Sequence, residues 1–388
     1  MNNPPICPAP WHSILIDTNK DVKPCCAYYG HIGNLNRNTL ENIISGPVWS
    51  NLKNKLSNQE WPEPCISGCK NQEDQIGWSV RLSFLKNNTF NSCGHNKISY
   101  LELNGSNICN LACLHCSPKF SSKWLSEWNT LSKEVNFLVG HKNPGAKHFS
   151  VDPSVVLENL ESLDLSELNF VVFKGGDPML NDETLTALRY FDKLSILSNI
   201  KFNIFTNGTI VNQEVLSLLN KAKQVMITVS LDGVGRLNEY IRYGTGSNSD
   251  DIKKNIDVFN SSIKNFQLSL SVSTMIYNIF NLVEIRDFWK ELTKQYNAID
   301  PFFNIIVTDP KYLDPRLLPF EAREKLIEFY KKNQRKNEFE IVIKGLAGDY
   351  LGDKVHNNWV TYTNEMEKIR GNSIIELVPE LEEFLYYK

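Results

Sequence analysis

The sequence predicts an α/β protein, an open parallel sheet of the partial (β/α)6, TIM-like kind, with a small α+β module before it. Two observations carry this. From Lys97 onward short apolar runs alternate with helical patterns, at 98–104, 169–174, 201–206, 224–231, 266–274 and 302–307, and that alternation is the signature of parallel β-α-β units. Six strands suit an open partial barrel better than a closed eight-stranded one. Before residue 96 the pattern differs: a hairpin-like alternation, two short helices, and six of the nine cysteines. The predicted units are 1–95, 96–318 and a helical extension over 319–388.

Composition narrows the class. The chain has 388 residues, 41% of them hydrophobic, enough for a sizeable core, and a formal net charge of -3. Without a basic surplus there is no electrostatic case for nucleic acid as partner. No apolar run approaches a membrane span, and Met1-Asn2-Asn3-Pro4-Pro5 lacks the basic start and apolar core of a signal peptide, so a cytoplasmic protein is expected. In a long chain of that kind, cysteines read as metal ligands or free thiols rather than disulfides.

Taken in order, Cys7 precedes Trp11 and the alternation Ser13-Ile14-Leu15-Ile16-Asp17. A turn at 18–21 leads into Val22-Lys23-Pro24-Cys25-Cys26, which predicts a hairpin with Cys25 on its return strand. Thr39 is placed to cap a helix whose inner face is Leu40, Ile43 and Ile44. A second helix, over 48–56, puts Trp49, Leu52 and Leu56 on one side. Cys65 and Cys69 follow in a turn-rich setting, and Cys93 reads as a free loop thiol.

The first strand of the α/β region leads into Cys109-Asn110-Leu111-Ala112-Cys113-Leu114-His115-Cys116. Thiolates are the usual ligands of iron–sulfur clusters, and three at this spacing on one loop can meet three irons of a four-iron cube. The fourth iron then lacks a protein ligand, and an open coordination position marks a catalytic metal. A structural zinc is the alternative, but it needs a fourth ligand: His115 is too close, and His141 or His148 would have to reach back. Ser117 is predicted to cap a helix with Pro118 at its first position, and Trp124, Trp128, Leu131 and Val135 form a helical stripe read as core. Past the second strand, Lys174 precedes Gly175-Gly176-Asp177-Pro178, where two glycines permit close backbone approach to a ligand and the aspartate can pair with an ammonium. The third strand ends at Thr206-Asn207-Gly208, candidate contacts at the mouth of the sheet. The fourth ends at Ser230-Leu231-Asp232-Gly233, with Asp232 suited to the tight turn. Arg242 follows, whose planar fork suits a carboxylate.

The cysteine spacing, its place after the first strand and the later Gly-Gly-Asp-Pro turn together resemble the radical S-adenosylmethionine (SAM) enzymes. The resemblance implies that Cys109, Cys113 and Cys116 hold a 4Fe-4S cluster that cleaves SAM. It also implies that Gly175, Gly176, Asp177, Ser230 and Arg242 contact SAM, with Asn207 beside them. Asp177 stands where the family usually has a longer glutamate, and His115 where it often has an aromatic residue, although a histidine can also stack. Residues 7–69 resemble the twitch or SPASM auxiliary modules, in the subgroup that carries the module at the N-terminus. By that resemblance Cys7, Cys25, Cys65 and Cys69 bind a second 4Fe-4S cluster; Cys26 competes with Cys25, and spacing does not separate them. A zinc knuckle would use the same ligands. The implied partners are SAM, a peptide or small-molecule substrate, and an electron donor such as flavodoxin or ferredoxin. Two other classes compete: a non-catalytic iron–sulfur or zinc protein would not need the glycine turn or Arg242, and a dinucleotide oxidoreductase would need a Gly-x-Gly-x-x-Gly turn where this chain has cysteines.

Overall fold

The computed structural model describes residues 6–86, 97–140, 153–299 and 302–385; Cys93, His141 and His148 lie outside them. Its strands are β1 (Ser13–Ile16), β2 (Asp21–Lys23), β3 (Gly33–Asn34), β4 (Tyr100–Asn104), β5 (Ala112–Cys113) and β6 (Phe170–Lys174). There follow β7 (Lys201–Thr206), β8 (Gln224–Ser230), β9 (Arg242–Tyr243), β10 (Phe266–Thr274) and β11 (Phe302–Ile306). All six expected α/β strands form. The chain divides into two compact units, one of Met1–Asn107, Phe149–Phe205 and Asn212–Met226, the other of Ile108–His148, Thr206–Val211 and Ile227–Lys388.

In the first unit the strand order is β8-β7-β6-β4-β1-β2-β3. The β1–β4, β4–β6 and β6–β7 pairs are parallel, and β1–β2 and β2–β3 antiparallel. The N-terminal hairpin thus extends the same sheet, with Leu15 opposite Glu102 and Ile16 opposite Leu103. Strand side chains alternate between faces, and here the faces differ in chemistry. Leu101, Leu103, Val171, Phe173, Phe202 and Ile204 are buried apolar positions, and Phe173 and Phe191 both pack on Phe202, which seats the helix Asp182–Lys193. On the other face β4 and β6 present Tyr100, Glu102, Asn104 and Lys174, with the Tyr100 and Phe170 rings stacked at 5.4 Å.

The second unit carries β11-β10-β8 and the small antiparallel pair β5–β9. Leu268, Leu270 and Val272 of β10 are fully buried, as is Trp289 on the helix Leu282–Thr293. Beyond β11 the chain is helical, with Phe320–Asn333, Glu340–Leu346 and Asp353–Arg370. Among the described residues β11 pairs only with β10, so the sheet is an open partial barrel, and no helix is long and apolar enough to cross a membrane.

Three local expectations need correction. Cys25 is not on a strand: β2 ends at Lys23, before Pro24, and Cys25 sits in the turn that follows. Cys65 and Cys69 are helical, at the end of a short helix Glu63–Cys65 and within a π-turn Ile66–Lys70. Wide π-turns of this sort are frequent at functional sites. Ser117 does not begin a helix; it closes a turn whose carbonyl accepts from Phe120 and Ser121, and the helix starts at Lys123. By contrast, Thr39 caps Leu40–Ile44 through Asn42 N–H, a contact worth about 1 kcal/mol, and Trp49, Leu52 and Leu56 are buried together.

Gly68 lies in the π-turn, and a Cβ there would stand 2.1 Å from the Ala27 carbonyl oxygen. Since that obstacle is backbone, Gly68→Ala is expected to destabilise the N-terminal module by about 1–3 kcal/mol, read as a lower thermal unfolding midpoint. Gly77→Ala, whose Cβ would meet nothing but whose φ of +69° carries the left-handed penalty, gives the cost of backbone strain alone for comparison.

Candidate cluster-binding sites

The Cys109–Cys116 loop belongs to the second unit, and its backbone is fixed from several sides. β5 pairs with β9 so that Cys113 faces Arg242 and Ala112 faces Tyr243. Gly244 makes the approach possible, since at φ +149° a Cβ would meet the Asn110 carbonyl at 2.6 Å. Ser121 Oγ donates to Leu111 O, and Ser122 Oγ accepts from Cys109 N at 3.2 Å. Trp124 Nε1 donates to Cys113 O at 3.0 Å. Two groups from the long helix Asp353–Arg370 complete the bracing: Tyr362 donates to Leu114 O at 2.8 Å and Arg370 to Ala112 O at 2.7 Å. With these carbonyls satisfied by side chains, the loop holds its shape without a helix or long ladder of its own.

Donors also meet the thiols. Arg242 Nη1 is 3.8 Å from Cys113 Sγ, and Asn207 Nδ2 is 3.7 Å from Cys109 Sγ and 3.0 Å from Asn110 Oδ1. Arg242 is 7% exposed and its Nε lies 2.8 Å from Asp232 Oδ2; Asp232 is wholly buried, with its other oxygen accepting from Ser273 N. Burial acts to lower the Arg242 pKa, but Asp232 and the neighbouring thiols outweigh it and raise it. Burial pushes the Cys113 thiol up against the pull of Arg242, and lifts Cys116 well above the thiol range, with Cys113 and Cys109 adding to the effect. His115 is driven down to about 4 by burial, although Asp232, 3.7 Å from its Nδ1, opposes this. Its imidazole is therefore neutral at pH 7. Ser230, at the end of β8, is half-buried.

The second thiol group is in the first unit. Cys25 and Cys69 are buried in a core with Leu52, Leu56 and Phe84, and Cys7 and Cys65 pack against it. Burial pushes Cys7 and Cys65 up to about 12, and the neighbouring thiols add to this: Cys65 and Cys69 on Cys7, Cys69 on Cys65. Cys25 is raised well above the thiol range by burial and by Cys26, Cys7 and Cys69. Cys26 has different surroundings. It is exposed, and the charged groups that act on it are Glu102, which raises its pKa, and Lys174, which lowers it.

Both donor sets fit iron–sulfur cores. All eight described cysteines are free thiols, and each group gathers sulfurs close enough to perturb one another in apolar surroundings. Ligation requires thiolates, and burial keeps these protonated at neutral pH, so a cationic core held here would have to ionise them. Among the described residues no three His, Cys, Asp or Glu side chains are gathered as a single metal ion requires.

The glycine turn also lies in the first unit. Gly175 has φ +114°, and a Cβ on it would stand 2.7 Å from Ser106 O, which accepts from Gly176 N at 2.7 Å. Asp177 is wholly buried and accepts from Met179 N at 2.9 Å. Lys174 is partly exposed, with its ammonium 3.1 Å from the buried Glu102 carboxylate and over the Phe205 ring at 4.7 Å. Burial works to lower the Lys174 pKa, but Glu102 and then Cys26 raise it overall. Glu102, Tyr362 and Arg370 escaped sequence reasoning. Glu102 alone left a trace, a charge within an otherwise apolar strand; nothing local announces that residues near 370 brace a loop near 112.

The sequence comparisons agree with this chemistry. The radical SAM superfamily model matches residues 103–291 and an iron–sulfur cluster-binding domain, SPASM, matches 7–70. Over these stretches the chain belongs to the radical SAM superfamily and carries an N-terminal SPASM domain. The superfamily's 4Fe-4S cluster and SAM, and the SPASM domain's auxiliary iron–sulfur chemistry, are therefore its cofactors. Curated relatives include proteins named GTP 3′,8-cyclase from Clostridium acetobutylicum, 25% identical over 191 residues, and Clostridium botulinum, 26% over 204. These alignments cover 49% and 52% of this chain and 51% and 54% of the relatives, so the chain spans about half the length of the curated relatives it matches. Among solved structures, anSMEcpe with bound AdoMet is 18% identical, with 60% of this chain and 61% of that chain covered and a TM-score of 0.39. Streptococcus suis SuiB bound to S-adenosylmethionine is 16% identical, with 74% and 58% covered and a TM-score of 0.36.

Arg370 pairs with Glu127 at 2.9 Å and its side chain is 1% exposed. Removing one partner of such a buried pair costs about 3–5 kcal/mol. Arg370→Met is therefore expected to lower the unfolding midpoint and to lose iron from the Cys109–Cys116 loop while the N-terminal module keeps its own, measured as iron per chain after reconstitution.

Proposed function

We propose that this chain is a radical SAM enzyme acting on a peptide or small-molecule substrate, in a net oxidation or other modification assisted by its auxiliary cluster. The observation that carries the proposal is the braced C-x3-C-x2-C loop, whose thiols meet Arg242 and Asn207. When bound, the loop's cluster supplies one electron to SAM, giving methionine and a 5′-deoxyadenosyl radical that takes a hydrogen atom from the substrate.

The remaining work falls to this chain's residues. Cys109, Cys113 and Cys116 hold the cluster, and the N–H donors of Arg242 and Asn207 offset their charge. Arg242 keeps its Nε on Asp232 and its Nη1 toward Cys113, so Nη2 is its donor for the SAM carboxylate; Ser230 and Asn207 are further contacts. Gly175, Gly176 and Asp177 take the amino group of SAM, chiefly through backbone, because the Asp177 carboxylate already closes its own turn. Cys7, Cys25, Cys65 and Cys69 hold the auxiliary cluster. Cys25 is preferred over Cys26 because it shares its apolar surroundings with Cys7 and Cys69. The domains follow as 1–95, 96–318 and 319–388, with flavodoxin or ferredoxin as reductant in the cytoplasm. The relatives named GTP 3′,8-cyclase support a small-molecule substrate as one branch.

After anaerobic reconstitution, the wild type is expected to release 5′-deoxyadenosine from SAM under a strong reductant and Cys113→Ala none. Intact SAM with wild-type protein bearing a full iron complement contradicts the proposal. Iron content separates the adjacent thiols: Cys25→Ala should lose about half of roughly eight irons, as two four-iron clusters require, while Cys26→Ala keeps them. The reverse result would move the ligand to Cys26.

A further inference from the structure

The C-terminal helices enclose a groove that the cluster chemistry does not use. It has a volume of about 1450 Å³ and lies within the second unit. Most of its lining is beyond residue 291, where the superfamily match ends. Its floor is apolar, formed by Phe280, Leu317, Leu326 and Phe384. Phe320, Phe329 and Tyr350 also line it and are 60%, 43% and 43% exposed. Scattered exposed aromatics are ordinary, but several on one concavity mark an interaction surface.

The charges around the floor select the occupant. Glu321, Asp353, Glu380 and Glu383 line the groove and are all exposed, against the single ammonium of Lys325. Four carboxylates over an apolar floor repel nucleic acid, anionic lipid and small phosphorylated ligands, and attract a cationic chain with apolar side chains. The volume exceeds the range of roughly 300–1,000 Å³ common for small-molecule pockets, which favours a polypeptide segment. A second copy of this chain, at net charge -3, would set acidic surface against acidic surface.

We propose that this groove docks a basic polypeptide segment, with aromatic or aliphatic side chains against the apolar floor and the exposed Phe320, Phe329 and Tyr350, and Lys or Arg on the acidic rim. The groove lies outside the cysteine loop and the glycine turn, so the inference does not require the radical chemistry to be right. If the substrate is a peptide, the groove holds a part of it that is not modified.

The test is fluorescence anisotropy with the reconstituted full chain and two labelled synthetic peptides, one built of Lys, Leu and Phe and the other with Glu in place of every Lys. The basic peptide is expected to bind in a salt-sensitive way and the acidic one not. Glu380→Lys/Glu383→Lys should weaken binding at least about tenfold, and Phe329→Ser, at an exposed position, should weaken it without reversing the salt dependence. Release of 5′-deoxyadenosine, followed in parallel, should be unchanged in all variants, so failure of the groove and failure of the radical SAM reading are told apart. Equal binding of both peptides, or undiminished binding by the charge-reversed variant, overturns the proposal. So does self-association through this face in sedimentation.

Discussion

The buried pair of Asp232 and Arg242 is the constraint on which the second unit depends. Asp232 follows β8, Arg242 starts β9, and Ser273, near the end of β10, donates its N–H to the same carboxylate. Asn278 adds a bond to the Asp232 carbonyl at 2.9 Å. An ion pair out of water does not repay its own desolvation unless further hydrogen bonds satisfy it. Here the Ser273 N–H supplies one to the carboxylate, and the guanidinium Nη1 meets Cys113. One pair thus sets the ends of two strands, the β5–β9 ladder and the charge next to the Cys113 thiol. A structural turn aspartate alone would not need the arginine.

In the first unit the constraint is apolar. Four thiols sit on a core of Leu52, Leu56 and Phe84, in surroundings that favour protonated sulfur. A metal core that ionised them would add its binding free energy to the folding of the module. Its hairpin is joined to the sheet by the parallel β1–β4 pairing. The turn at Gly68 lies so close to Ala27 that the Cys65–Cys69 segment has little room to shift.

Much of this was legible in the sequence because it rests on short-range pattern. Six strands, the Thr39 cap and the Trp49 helix follow from periodicity and capping chemistry. The Cys109–Cys116 group follows from spacing, and the N-terminal group from the resemblance to SPASM modules. What was not legible depends on distant partners. Ser117 looks like a helix cap, but Ser121 and Ser122 are drawn to the Leu111 and Cys109 backbone, which delays the helix to Lys123. Pro24 ends β2 before Cys25, and Cys65 and Cys69 wind into a π-turn that no residue type announces. Arg370 and Glu102 act through tertiary contacts alone. The choice between Cys25 and Cys26 turns on which thiol shares the apolar core and which looks toward Glu102 and Lys174.

Three cysteines at one site and four at the other leave one cluster with an open iron for SAM and the other without, if both sets ligate as proposed. Electron paramagnetic resonance of the reduced, reconstituted chain tests it most directly. The account predicts signals from two 4Fe-4S clusters, of which adding SAM shifts one, and that one disappears in Cys109→Ala while the other persists. A spectrum in which SAM shifts neither signal, or shifts the one that survives in Cys109→Ala, would contradict it.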